Sequence, residues 1–211
     1  MIDPASSARL AETAGRDVSR ETVESLDRYC KRLSEEAARQ NLVSASTLDA
    51  LWERHVLDSA QLVRFEPVPG CSWVDIGSGA GLPGIVIALL VAGPVTLVEP
   101  RRLRADFLLR TIAELGLERR VSIVPMKVQK LSGNFDVITA RAVASLDRLL
   151  EISTHLSTRK SVWALPKGHN FQSELAQAGR NWQCAAETVP SCTNPDSRIL
   201  VLRDVRAKGG R

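Results

Sequence analysis

Apolar residues recur at helical spacing through the first third of the chain. Val23, Leu26, Cys30 and Leu33 stand three or four positions apart, and Leu48, Leu51, Trp52, Val56, Leu57 and Leu62 continue the pattern. The spacing predicts helices between Val18 and Phe65, with residues 45–65 as one amphipathic helix and Ser46 or Thr47 as its N-cap. The segment 66–70, with two prolines and a glycine, ends this regime.

From Cys71 onward the period changes. Short, nearly continuous apolar runs at 71–76, 95–99, 121–124, 135–140 and 161–165 alternate with helical patterns at 83–91, 101–115, 145–156 and 170–180. Strands apolar along their length, joined by helices, imply a parallel sheet covered on both faces. Two late runs, 184–189 and 198–204, have no helix between them and are expected to pair as an antiparallel edge hairpin. The expected fold is α/β: a doubly wound, mostly parallel seven-stranded sheet over 67–211, behind a helical extension over 1–66.

Composition narrows the setting. Hydrophobic residues make up 44% of the 211 and charged ones 25%, which suits a soluble protein with a sizeable core. No apolar run approaches a membrane span, and the first twenty residues lack a signal-peptide core, so a cytoplasmic protein is expected. Cys30, Cys71, Cys184 and Cys192 form no CxxC pair, which points to reduced thiols and to no metal site. The net charge of +4 is a mild pointer to a polyanionic partner. Arg101, Arg102, Arg104 and Arg110 cluster after one expected strand, and the tail 203–211 is basic.

The chemistry-bearing stretch is Val-Asp-Ile-Gly-Ser-Gly-Ala-Gly-Leu-Pro-Gly, residues 74–84, between an expected strand and helix. In a parallel open sheet such a loop sits at the carboxyl ends of the strands, where ligands bind. A phosphate-cradling P-loop requires Lys and Ser/Thr after its last glycine, but Ile85 and Val86 follow Gly84. A dinucleotide site requires GxGxxG, which Gly79, Gly81 and Gly84 satisfy, with Glu99 placed to hold ribose hydroxyls. A site for S-adenosylmethionine uses the same acid, and adds another two residues before Gly-x-Gly-x-Gly. Asp75, followed by Gly77, Gly79 and Gly81, has that form. A diphosphate seeks a helix N-terminus free of carboxylates, whereas an ammonium and a sulfonium are favoured beside one. Asp75 therefore tips the reading toward the methyl donor. A nicotinamide-dependent oxidoreductase remains the alternative.

Together with Arg54–Ser59 (RHVLDS), Ala140–Leu146 (ARAVASL) and Pro166–Gly168 (PKG), the glycine loop closely resembles the bacterial RsmG (GidB) family. The resemblance runs from about Asn41 to Arg203. It implies a class I, Rossmann-like methyltransferase fold and methyl transfer from S-adenosylmethionine to guanine N7 in 16S ribosomal RNA, with S-adenosylhomocysteine as product. It also implies a cytoplasmic substrate, as free RNA, an assembly intermediate or the 30S subunit. No membrane partner is implied, and a monomer is the default. By position, Gly77 and Leu82 fall on the cofactor loop, Glu99 on the ribose-holding acid, Val128 and Gln129 beside the adenine, and Arg141 on a cofactor-site arginine. Two positions depart from the family pattern. Lys127-Val128-Gln129 stands where Arg-x-Glu is common, and Pro166 is added before Lys167-Gly168. A methyltransferase with another substrate is the neighbouring alternative.

Other side chains take their roles from placement. Arg141 and Lys167 follow the fourth and fifth expected strands, on the ligand side, and are the expected catalytic pair; a salt bridge or a solvated lysine is the plain alternative. Lys167 with Arg198 is also suited to phosphates. Arg101 and Arg104 share a helix face near an N-terminus that favours anions. His55 and Asp58 share a face as well. Guanine N7 carries a lone pair and no proton, so a general base has nothing to remove. His55 and Asp58 are therefore expected to position, by a hydrogen bond orienting their helix, and the reaction to be a direct in-line displacement.

Overall fold

The computed structural model describes residues 3–37 and 51–209. The expected cap at Ser46 or Thr47 lies outside them. Seven strands form one sheet in the order β3-β2-β1-β4-β5-β7-β6: β1 Trp73–Ile76, β2 Val95–Val98, β3 Val121–Val124, β4 Val137–Ala140, β5 Val162–Lys167, β6 Trp182–Pro190 and β7 Arg198–Ala207. The first five run parallel, and β7 is inserted antiparallel between β5 and β6. Both the parallel sheet and the edge hairpin expected from the apolar runs are present. The inserted β7 also separates this order from the 3-2-1-4-5-6 sheet of dinucleotide-binding folds.

Alternation along β1 sets the two faces. Trp73 packs with Leu10, Leu26, Leu33, Ile85 and Phe107, so the N-terminal helices and the helices Gly84–Leu90 and Arg102–Leu115 share one core. Val74 and Ile76 pack on the other side with Ile138, Leu149 and Trp163, beneath Leu146–Ser153 and Phe171–Asn181. Asp75 falls on the Trp73 side, directly across from Thr139 of β4. Pro166 interrupts nothing: β5 pairs with β4 only through Ala164, and beyond that point it meets β7 alone.

Two helical features differ from the periodic pattern. Pro4–Ala14 is a helix that apolar spacing does not announce, because it is rich in alanine and serine. Its Asp3 side chain caps Ala5 and Ser6, and Gly15 ends it at φ 64°. Downstream, the expected single helix is helical throughout its described part but changes winding. It is a π-helix over Trp52–Leu57, α over Asp58–Ala60 and 3-10 over Gln61–Phe65. Ser59 Oγ donates to the His55 carbonyl at 2.6 Å, a back-bond that competes with regular helix hydrogen bonding.

Candidate active site

The glycine loop leaves β1 at the carboxyl edge of the sheet. Gly77 has φ 66°, and a Cβ there would lie 2.7 Å from Val143 Cγ2. Gly84 opens the next helix, where a Cβ would lie 2.3 Å from Leu97 Cδ2 and 2.7 Å from Asp75 Oδ2. Backbone thus replaces side chains at both ends of the loop. The Asp75 carboxylate accepts from Gly84 N at 3.2 Å and from Thr139 Oγ1 at 3.0 Å. Burial pushes its pKa up to about 6, against those hydrogen bonds and the charge of Arg141. Glu99, at the end of β2, accepts from Gly79 N and Arg101 N, each at 2.9 Å, so it ties the loop to the next helix.

Beside the loop lies a cavity of about 340 Å³, within the ~300–1,000 Å³ of small-molecule sites. Gly77, Glu99, Val128 and Gln129 line it as expected. The expected cofactor residues Asp75, Gly79 and Leu82 do not. Asp75 is 1% exposed and Leu82 6%, so both side chains are buried away from the cavity, and Gly79 N ties the loop to Glu99. Arg101 and Arg104, expected at an anion-favouring helix N-terminus, line this same cavity, because the N-terminus of Arg102–Leu115 abuts the loop. The walls fit S-adenosylmethionine. Val98, Val128 and Ile152 offer apolar surface for a purine, and Glu99 offers carboxylate oxygens for ribose hydroxyls.

A second cavity, of about 310 Å³, shares Ala142 with the first. Ala142 has φ 56°, a conformation costly for a residue with a Cβ and found where a site imposes it. Arg141, expected on the cofactor, lines this second cavity instead. Its Nη1 lies 3.1 Å from Asp58 Oδ2, and the two side chains are 19% and 17% exposed. The expected alternative of a salt bridge is therefore present, but at the cavity wall and half-buried. Lys167 is not solvated: its Nζ lies 2.8 Å from Glu174 Oε2. Arg198 is the cross-strand partner of Lys167 and so shares its face. Its guanidinium donates to the Pro195 and Ser197 carbonyls and lies over the Phe171 ring. Sequence spacing gave no sign of Glu174 or Gln61, because both reach the site across the fold.

The hydrogen bond expected of His55 is not made. Among the described residues, neither of its buried ring nitrogens has a side-chain partner, and burial, reinforced by the Arg141 cation, pushes its pKa down to about 4. Asp58 does the positioning. Its Oδ1 accepts from Gln61 Nε2 and Thr193 Oγ1, both at 3.0 Å, while Oδ2 holds Arg141. Among the described residues, no group of three or more His, Cys, Asp or Glu side chains is placed to hold a metal ion, and no helix is long and apolar enough to cross a membrane.

Comparison with known proteins agrees with this geometry. Solved structures of similar fold include a ribosomal protein L11 methylase from Lactobacillus delbrueckii (TM-score 0.57, 15% identity, 72% of this chain and 79% of that one). TrmN from Thermus thermophilus is another (TM-score 0.57, 17% identity, 72% and 49%). They share the class I methyltransferase fold. Ribosomal RNA small subunit methyltransferase G of Rhizorhabdus wittichii is 42% identical over 195 residues, 91% of this chain and 90% of that protein. The Zymomonas mobilis protein of the same name is 42% identical over 200 residues, 90% of each. The family model for rRNA small subunit methyltransferase G (GidB) matches residues 22–200, and the chain belongs to that family.

Proposed function

We propose that this protein transfers a methyl group from S-adenosylmethionine to N7 of a guanine in 16S ribosomal RNA. The observation that carries the reading is the junction at Ala142 of two cavities with different chemistry. One has the glycine loop, an acid and apolar walls; the other has cations that are each held by a partner. Family membership supports the choice of ribosomal RNA. In this reading the substrate is met in the cytoplasm by a monomer, as free RNA, an assembling particle or the 30S subunit. Residues 1–66 are then an extension that braces the methyltransferase unit.

Glu99 would accept from the ribose hydroxyls, Gln129 would meet the adenine edge with its amide, and Val98 and Val128 would flank the ring. The chemistry supplied by bound S-adenosylmethionine is an electrophilic methyl group on a cationic sulfur. The protein's task is alignment of the purine in line with that bond. N7 attacks with a lone pair and loses no proton, so no side chain has to act as a base. His55, buried, with a depressed pKa and no side-chain partner for its ring among the described residues, suits that requirement. Arginine ordinarily donates to both O6 and N7 of guanine. Held by Asp58, Arg141 would donate to O6 or phosphate and leave N7 free.

Mass mapping of ribosomal RNA from cells with and without this gene tests the proposal. One 7-methylguanosine of the small subunit should vanish on deletion. The wild-type gene should restore it and Arg141→Ala should not. Identical maps would refute the assignment.

A further inference from the structure

Glu174 stands in the first turn of Phe171–Asn181 and reaches back to the second cavity. Its Oε2 accepts from Leu146 N and from Lys167 Nζ, both at 2.8 Å. Ser145 provides no side-chain cap for Leu146–Ser153, so Glu174 takes that place from another helix. Two donors on one oxygen fix the carboxylate in place. Oε1 has no partner among the described residues, and the side chain lines the cavity at 26% exposure.

We infer that Glu174 selects guanine by accepting a hydrogen bond from its exocyclic 2-amino group at Oε1. The inference rests on the guanine reading above and adds the residue that makes the choice. The cavity carries two carboxylates, Asp58 and Glu174, beside Arg141, Lys167 and Arg198. A bare phosphate cradle has no use for the acids. A guanine has use for both signs, since its six-membered ring presents an acceptor at O6 next to donors at N1 and N2. Adenine presents an amino group at the O6 position and a lone pair at N1, so it would turn a donor toward the cations and a lone pair toward the carboxylate. The 2-amino group also lies at the far end of the purine from N7. A grip there leaves the reacting nitrogen unobstructed.

The test uses small-subunit ribosomal RNA rebuilt by ligation and assembled into the subunit, with guanosine or inosine at the methylated nucleotide. Inosine keeps N7, O6 and N1–H and lacks only the 2-amino group. A hydrogen bond to a charged group is worth roughly a 10- to 100-fold preference, so the wild-type protein should methylate guanosine faster by about that factor. Glu174→Gln turns an amide N–H toward the 2-amino group while its oxygen keeps the Leu146 cap, so both rates fall and their ratio moves close to one. A purely structural Glu174 would slow both substrates equally and leave the ratio unchanged. Equal wild-type rates on the two RNAs, or a ratio preserved in Glu174→Gln, would overturn the inference. The wild-type arm decides even where the variant folds poorly. Absence of any 7-methylguanosine in the unsubstituted RNA would instead overturn the functional reading beneath it.

Discussion

Asp58 holds Arg141 at 3.1 Å across 83 residues of sequence, fastening the irregular helix before the sheet to the end of β4. The pair sits at a cavity wall with both side chains under a fifth exposed. Removing one member strands the other in a poorly solvated place. Asp58→Ala should therefore lose about 1–3 kcal/mol of stability in urea denaturation. It should also slow methyl transfer at least about tenfold, as Arg141 loses its orientation. The Asp58→Ala/Arg141→Ala double variant should cost less than the sum of the single ones. Strict additivity would show that the contact has no energetic weight.

Tyr29 couples the N-terminal helices to the loop. Its buried hydroxyl donates to the Ala80 carbonyl at 2.8 Å. Tyr29→Phe leaves that carbonyl facing a ring, at a cost of about 1–2 kcal/mol. S-adenosylhomocysteine should bind several-fold more weakly in calorimetric titration while the far-ultraviolet spectrum stays unchanged. Unaltered affinity would mean that the helices only cover the core.

Gly77 combines a positive φ with a close approach to Val143. Gly77→Ala should cost about 1 kcal/mol or more from backbone strain. The Val143 side chain is 37% exposed and free to move, but the new methyl group and the displaced valine both crowd the first cavity. Binding of S-adenosylhomocysteine should drop by an order of magnitude or more. Adding Val143→Ala should relieve the contact but not the strain, so recovery should be partial.

Asp75 provides a pH signature. Its folded pKa of about 6 exceeds the ordinary 3.8, so its contribution to stability is full below 3.8 and is lost as pH rises through 6. That loss is on the order of 3 kcal/mol. His55 acts with the opposite sign: its folded pKa of about 4 lies below 6.5, so its contribution is present above 6.5 and lost as pH falls through 4. Asp75→Asn removes the first effect and leaves the second, so the variant should gain stability relative to wild type between pH 4 and 7.5. A cationic ligand over the loop favours the ionised carboxylate. Affinity for S-adenosylmethionine should therefore rise from pH 5 to 7 in the wild type and stay flat in Asp75→Asn. Parallel curves for the two proteins would remove Asp75 from cofactor recognition.

Much of this molecule is legible in one dimension because local physics writes it there. The strands β1, β2 and β4 are mostly apolar, broken only by Asp75, Thr96 and Thr139, since both faces of a parallel sheet are covered. The glycines of 77–84 and the acid at Glu99 mark the cofactor edge, since a loop that close to a ligand and to β2 has no room for side chains. Pro4–Ala14 escaped the apolar period because one large apolar residue, Leu10, anchors it. The change of winding at Trp52–Leu57 escaped too, because it answers to packing and to the Ser59 back-bond rather than to residue spacing.

The succession of strands and helices along the chain, the glycine loop and the acid that ends β2 were therefore determined by the sequence alone, through burial periodicity and backbone sterics. Only the tertiary structure decided which charges meet. It paired Arg141 with Asp58, gave Lys167 to Glu174, and buried the His55 ring with no side-chain partner among the described residues. Ion pairs form between side chains brought together by the fold, over separations on which spacing along the chain is silent. Their desolvation, which sets what each can do, exists only once the core has closed around them.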